Sequence, residues 1–170
     1  NLEEIINNLK YQLLSIINKG CNVIQIDEPY FIYYEKIEYK HINYLKSLIK
    51  KLNCDIILGL HNYDEFKLEP YFNEKKLINL LEINNIKYYS FDYNYIKPFI
   101  YLLKEYSNKK YIFKLTYKNS IKDYKILLNS LINELGHKDF YISPSNFKKT
   151  INELDKMYED LFISINYINN

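Results

Sequence analysis

Two adjacent carboxylates, Asp27 and Glu28, follow a short run of β-branched and apolar residues and precede Pro29. The run reads as a buried strand, so the two acidic side chains stand at its carboxyl end. In α/β proteins this is the end of the sheet where binding and catalytic sites are built. A carboxylate there suits an ammonium group, because the hydrogen bond is charge-assisted. The alternative is that Asp27 caps the turn whose shape Pro29 fixes.

Two further strand-like runs also end in polar residues. The run 54–60 is followed by His61, and the run 87–92 ends at Asp92. Carboxyl ends of parallel strands meet at one edge of a sheet, so these side chains are candidates for the same site as Asp27. His41 and His137 are isolated in the sequence, and we expect both at the surface.

The elements that must position these residues alternate regularly along the chain. Apolar residues spaced three and four apart predict helices, and short apolar runs between them predict strands. Gly20 and Gly136 follow two of the helices as stop signals. The predicted helices are 3–18, 38–52, 73–84, 96–107 with Pro98 in its first turn, 121–135 and 149–165, and the predicted strands start at 21, 54, 87, 111 and 140.

This order, one helix and then five βα units, predicts an α/β domain with a parallel sheet. We interpret residues 1–170 as a single partial-barrel domain, about four to five βα units of a (β/α)8 barrel. A half-barrel has two unpaired sheet edges, which favour association. We therefore expect either a missing N-terminal half, in the same chain or as a separate subunit, or a homodimer.

Composition excludes several classes of protein. The formal net charge is only +2, which argues against a nucleic-acid-binding domain. No apolar run is long enough to span a membrane, and the acidic start is unlike a signal peptide. Cys21 and Cys54 are too few for a disulfide framework, so we expect buried reduced thiols and a cytoplasmic protein. The absence of a Gly-x-Gly-x-x-Gly motif leaves a nucleotide cofactor unsupported.

The stretch from Gly20 to Pro29 resembles the Gly-x-x-x-Ile-Gln-Ile-Asp-Glu-Pro segment in the catalytic barrel of cobalamin-independent methionine synthase. Later blocks are similar at a coarser level, at 57–63, 90–92, 111–120 and 140–148. The resemblance spans nearly the whole chain but only the C-terminal half of such a barrel. Related barrels of the uroporphyrinogen decarboxylase superfamily share a weaker version of the motif.

The resemblance implies methyl transfer to homocysteine from a methyl-tetrahydrofolate-type donor, without cobalamin. It implies that Asp27 and Glu28 contact the amino group of homocysteine. It also implies a zinc ion that binds the homocysteine sulfur and favours its thiolate.

Most zinc-ligand positions of that family are substituted in this chain. The family's His falls on Leu60 and its first Cys on Asn62, while its Glu falls on Asp92. Its second Cys falls on Asn146, or on Ser145 if the register slips by one. Two further site positions, an Asp and an acid or base, fall on Tyr117 and Asn119.

His61 and Asp92 are then the candidate metal ligands. Neighbouring strand residues point to opposite faces, so His61 would face the helices if Leu60 faces the site, unless the strand has already ended. Asp92 alone cannot hold zinc. Three readings follow: an impaired zinc-dependent methyltransferase, a repurposed relative that acts as a binding or partner subunit, or a related methyltransferase or decarboxylase barrel with a metal-free chemistry.

Overall fold

The computed structural model describes residues 2–33, 39–61, 73–115, 121–137, 139–144, 155–156, 158–160 and 162–164. Helices and strands alternate in the predicted order. The helices are α1 (Leu2–Asn18), α2 (Tyr30–Tyr33), α3 (Tyr39–Ile49), α4 (Glu74–Leu81), α5 (Tyr93–Ile96), α6 (Ile100–Glu105) and α7 (Ile121–Leu135). The strands are β1 (Val23–Asp27), β2 (Asp55–Leu60), β3 (Tyr88–Asp92), β4 (Lys110–Leu115) and β5 (Tyr141–Pro144).

The five strands form one parallel sheet in the order β1-β2-β3-β4-β5. Each strand is added beside the one before it, and crossovers between parallel strands are right-handed. The connecting helices therefore pack on one face of the sheet, as in part of a (β/α)8 barrel. The predicted fold class, an α/β half-barrel with parallel strands, is confirmed.

Alternate strand residues point to the helices or away from them. The residues that point to the helices form the hydrophobic core, and we call this side the core face. The other side, here called the opposite face, carries polar residues mixed with a few apolar ones. The core face includes Ile24, Ile56, Leu58, Leu60, Tyr89, Phe91, Tyr111, Phe113 and Leu115.

Buried tyrosines on the core face satisfy their hydroxyl groups with backbone carbonyls. The Tyr89 hydroxyl donates to the Leu80 carbonyl, and the Tyr111 hydroxyl donates to the carbonyls of Leu103 and Tyr106 at 3.0 and 2.9 Å. Burial raises the pKa of both phenols. A chain without alanine thus uses large aromatic side chains in its core at no cost in unpaired hydroxyls.

Both glycine stops are confirmed, since Gly20 and Gly136 adopt φ of 99° and 79° after α1 and α7. The predicted helix 96–107 is wrong at its start. The chain instead forms α5, a 3-10 turn over Lys97–Phe99, and then α6. Pro98 explains the break, because it has no N–H to donate and its ring disfavours a continuous α-helix. The short helix α2 was not predicted.

The described part of the predicted helix 149–165, which is 155–156, 158–160 and 162–164, is helical. Cys21 and Cys54 are free thiols, half-buried, at the amino ends of β1 and β2. They lie at the end of the sheet away from Asp27. In the described part of the chain, every helix is too short or too polar to cross a membrane.

β1 and β5 are the edges of the described sheet. Val23 on β1 and Tyr141 on β5 are each 50% exposed. The expectation that a second half or a second copy covers these edges stays a prediction.

Candidate functional site

Four polar side chains come from the carboxyl ends of β1 to β4 on the opposite face. Asp27 ends β1, His61 follows β2, Asp92 ends β3, and Lys114 lies near the end of β4. The strand register places Asp92 directly beside Lys114, while Asp27 lies beside Gly59, two residues before His61. We call these four residues the strand-end cluster.

The Asp27 and His61 side chains meet over Gly59. The distance from Asp27 Oδ1 to His61 Nε2 is 3.7 Å. A Cβ at residue 59 would lie 1.9 Å from Asp27 Oδ1 and 2.9 Å from His61 Nε2. Gly59 is therefore required for the two side chains to approach each other, since any larger residue would displace Asp27.

His61 is 2% exposed, and among the described residues neither ring nitrogen has a hydrogen-bond partner. Burial, together with the nearby Lys114 ammonium, lowers the pKa of His61 to about 4, and Asp27 opposes the shift. The imidazole is thus neutral at pH 7. A neutral imidazole offers one donor and one acceptor to a bound molecule.

Lys114 is the cation of the cluster. Burial lowers the pKa of its ammonium, and the carboxylates of Asp27 and Asp92 act in the opposite direction. Both acidic groups therefore lie near enough to Lys114 to interact with its charge. The carboxyl end of the sheet thus holds two carboxylates, one ammonium and one neutral imidazole in the strand-end cluster.

Asp92 occupies the position before α5, yet its side chain makes no capping hydrogen bond to that helix. Its carboxylate instead belongs to the environment of Lys114, its register partner on β4. Asp92 therefore lies beside Lys114 at the carboxyl end of the sheet, and its role as a site residue stays a prediction.

Glu28 departs from its neighbour Asp27. Its Oε1 accepts a hydrogen bond of 3.1 Å from the backbone N–H of Tyr30, at the start of α2. Burial raises the pKa of its carboxyl group, and the hydrogen bond from the Tyr30 N–H partly offsets this shift. Asp27 and Glu28 thus lie in different surroundings, and they do not form one acidic pair.

Leu60 is 1% exposed and belongs to the core. The family's His position thus points into the helix layer, whereas His61 faces the cluster. Of the two alternatives for His61, a helix-facing and a site-facing ring, the structure shows the second. The other substituted positions, at 62, 117, 119, 145 and 146, lie outside the described residues.

A zinc ion needs four donors in a structural site and three protein donors in a catalytic one. Within the described ranges, no three His, Cys, Asp or Glu side chains come together as such a site requires. His61 and Asp27 supply two donor groups, and the Lys114 cation beside them opposes a second positive charge. The described cluster therefore does not fit a zinc centre.

Lys114 and Gly59 were missed at the sequence level. The sequence could have indicated Lys114 as a site residue, because its charge interrupts an apolar run close to the end of β4. Gly59 stands inside a buried strand, where glycine often marks a close approach of other groups. Lys114 is a member of the strand-end cluster, and Gly59 lies where the Asp27 and His61 side chains of that cluster meet.

No protein-family profile matches this sequence, and no curated protein matches it at a significant level. Function is therefore argued from the strand-end cluster itself and from the resemblance described above.

Proposed function

We propose that the strand-end cluster binds a small zwitterion, an amino acid held by both its ammonium and its carboxylate. Asp27 and Asp92 receive the ammonium group, and Lys114 receives the carboxylate. The observation that carries this proposal is that Asp27, Asp92 and Lys114 stand at the carboxyl ends of three strands of one parallel sheet, with Asp92 directly beside Lys114. Groups of both signs at one edge match a ligand that carries both signs.

Chemistry supports this assignment. Hydrogen bonds between ionised partners are shorter and about twice as strong as neutral ones. His61 adds a neutral ring next to Asp27, and its nitrogens give a ligand hydroxyl, amide or thiol a polar contact. An unbonded buried imidazole is costly, so a ligand that bonds to it gains stability.

The resemblance to methionine synthase suggests which amino acid to test first. Homocysteine carries an ammonium, a carboxylate and a thiol, and Asp27 aligns with a residue that contacts its amino group. We therefore propose homocysteine or methionine as the ligand, in a binding subunit related to that family. Zinc-dependent methyl transfer is the second candidate, and it requires donors from outside the described residues, because His61 and Asp27, 3.7 Å apart, supply only two.

Isothermal titration calorimetry with homocysteine and methionine tests the proposal. We expect saturable binding that Lys114→Met weakens about 10- to 100-fold, the range for a lost charged hydrogen bond. Lys110→Met is the matched control, since Lys110 lies on the same strand and face but pairs with the exposed Asp139. Gly59→Ala should also weaken binding, because the added methyl displaces Asp27.

Equal losses from both lysine variants, or no binding at all, would overturn the proposal. Zinc content measured by elemental analysis, with and without homocysteine, separates the two candidates. Near one zinc per chain would favour methyl transfer. Amino-acid binding without zinc would favour the binding subunit.

A further inference from the structure

A cavity lies on the helix side of β1, between that strand and helices α1 and α3. Its volume is about 380 Å³. The walls are apolar and include Ile6, Ile26, Leu45 and Leu48. The strand-end cluster does not line it, so the two sites are separate.

The mouth of this cavity is also apolar. Ile5 and Leu9 of α1 line it and are 55% and 44% exposed. Large aliphatic side chains on a helix surface usually turn inward, and here two of them flank an opening. The entrance thus favours a ligand with an apolar portion.

Glu28 and His41 stand among the apolar walls, and Tyr30 and Tyr44 also line the cavity. Glu28 accepts a hydrogen bond from the Tyr30 N–H, and a carboxylate has acceptor capacity for several more donors. His41 packs its ring edge-on against the Tyr30 ring, with centroids 4.7 Å apart. Its Nδ1 is buried and, within the described ranges, has no hydrogen-bond partner.

The expected surface position of His41 is thus corrected. Its ring is half-buried against Tyr30, and it lines the same cavity as Glu28. Burial raises the pKa of Glu28, as it does for a carboxyl group in apolar surroundings. A partner that brings a positive charge would relieve this desolvation.

We propose that this cavity binds a primary ammonium group that carries an aliphatic chain. The ammonium donates to the Glu28 carboxylate and to His41 Nδ1, and the chain packs against Ile6, Leu45 and Leu48. Among the described lining residues there is no lysine, so the Glu28 carboxylate sets the sign of the ligand's charge. A carboxylate ligand would instead meet Glu28 as a like charge.

Hexylammonium is the probe, and hexanol and hexanoate are its matched controls. Calorimetric titration of the whole chain should give saturable binding of hexylammonium. Hexanol should bind at least about tenfold more weakly, and hexanoate should not bind. Glu28→Gln should weaken hexylammonium binding at least about fivefold, while its amide oxygen still accepts from Tyr30. Glu105→Gln, an exposed carboxylate on α6, should leave binding unchanged.

Three outcomes would overturn the proposal: no saturable binding, hexanol binding as tightly as hexylammonium, or equal affinity in Glu28→Gln and Glu105→Gln. Asp27→Asn distinguishes the two sites. If that variant, and not Glu28→Gln, weakens hexylammonium binding, the amine occupies the strand-end cluster and the cavity proposal fails. Circular dichroism confirms that each variant is folded.

Discussion

The two faces of the sheet treat buried polar groups differently. On the core face, the Tyr89 and Tyr111 hydroxyls and the Lys109 ammonium all donate to backbone carbonyls. On the opposite face, His61 is as deeply buried but has no hydrogen-bond partner among the described residues. Buried polar groups in folded proteins are nearly always bonded. The tyrosine hydroxyls and the Lys109 ammonium on the core face thus have partners within the chain, whereas the ligand that we propose would supply a partner for His61 on the opposite face.

The largest expected effect tests the packing side of this comparison. Phe91 is fully buried on the core face and stacks on Tyr89 with centroids 6.1 Å apart. Phe91→Ala should lower the free energy of unfolding by about 3–5 kcal/mol, because it leaves a cavity. Urea denaturation measures the loss. The control Ile112→Ala, on the half-buried opposite face, should cost less than about 2 kcal/mol. Equal losses would mean that both faces are packed alike.

The second prediction concerns His61 and pH. Its pKa is lowered to about 4 in the folded chain and is near 6.5 when unfolded. Protonation therefore favours the unfolded state, so the stability from the neutral ring is complete above pH 6.5 and is lost as the pH falls towards 4. One pKa unit corresponds to about 1.36 kcal/mol, so the loss is on the order of 3 kcal/mol.

Urea midpoints of the natural chain and of His61→Gln, measured from pH 7 to pH 4, check this prediction. Glutamine does not titrate, so the variant should lose less stability over that range. Parallel profiles for the two proteins would show that His61 does not carry the pH dependence, and the contrast between the faces would then lose its electrostatic basis.

The smallest of the three effects tests how much the hydrogen bonds of buried hydroxyl groups on the core face contribute to stability. Tyr111→Phe removes the hydroxyl that bonds to the carbonyls of Leu103 and Tyr106, so stability should fall by about 1–2 kcal/mol. Tyr141→Phe, a half-exposed ring on the opposite face, should change it by less than about 0.5 kcal/mol. Thermal or urea denaturation of both variants gives the comparison. A larger loss from Tyr141 would contradict it.

Periodicity predicted most of the architecture, because apolar spacing and short apolar runs are set by the same burial that forms the elements. The five strands lie within a few residues of their predicted positions. The region around Pro98 is where prediction from periodicity fails. A proline in a first turn is common, so the sequence alone did not indicate that the helix would restart after it.

The site was predicted in part. Asp27 and Asp92 stand at the predicted edge, but Glu28 does not join Asp27, because adjacent residues leave a strand on opposite sides. The orientation of the His61 ring depended on the register of β2. That register places Gly59 and His61 on the opposite face and Leu60 on the core face. Register is a property of the assembled sheet, so spacing within one strand could not determine it.

The order of the strands has a consequence for how the chain acquires its structure. Every strand pairs with the next one along the chain, from Val23 with Asp55 to Ile112 with Tyr141. Among the described strands, none pairs with a strand more than one βα unit away along the chain. During synthesis, each strand from β2 to β5 can therefore pair with a strand that has already left the ribosome. Within this sheet, growth can proceed in one direction, from β1 towards β5, as translation proceeds.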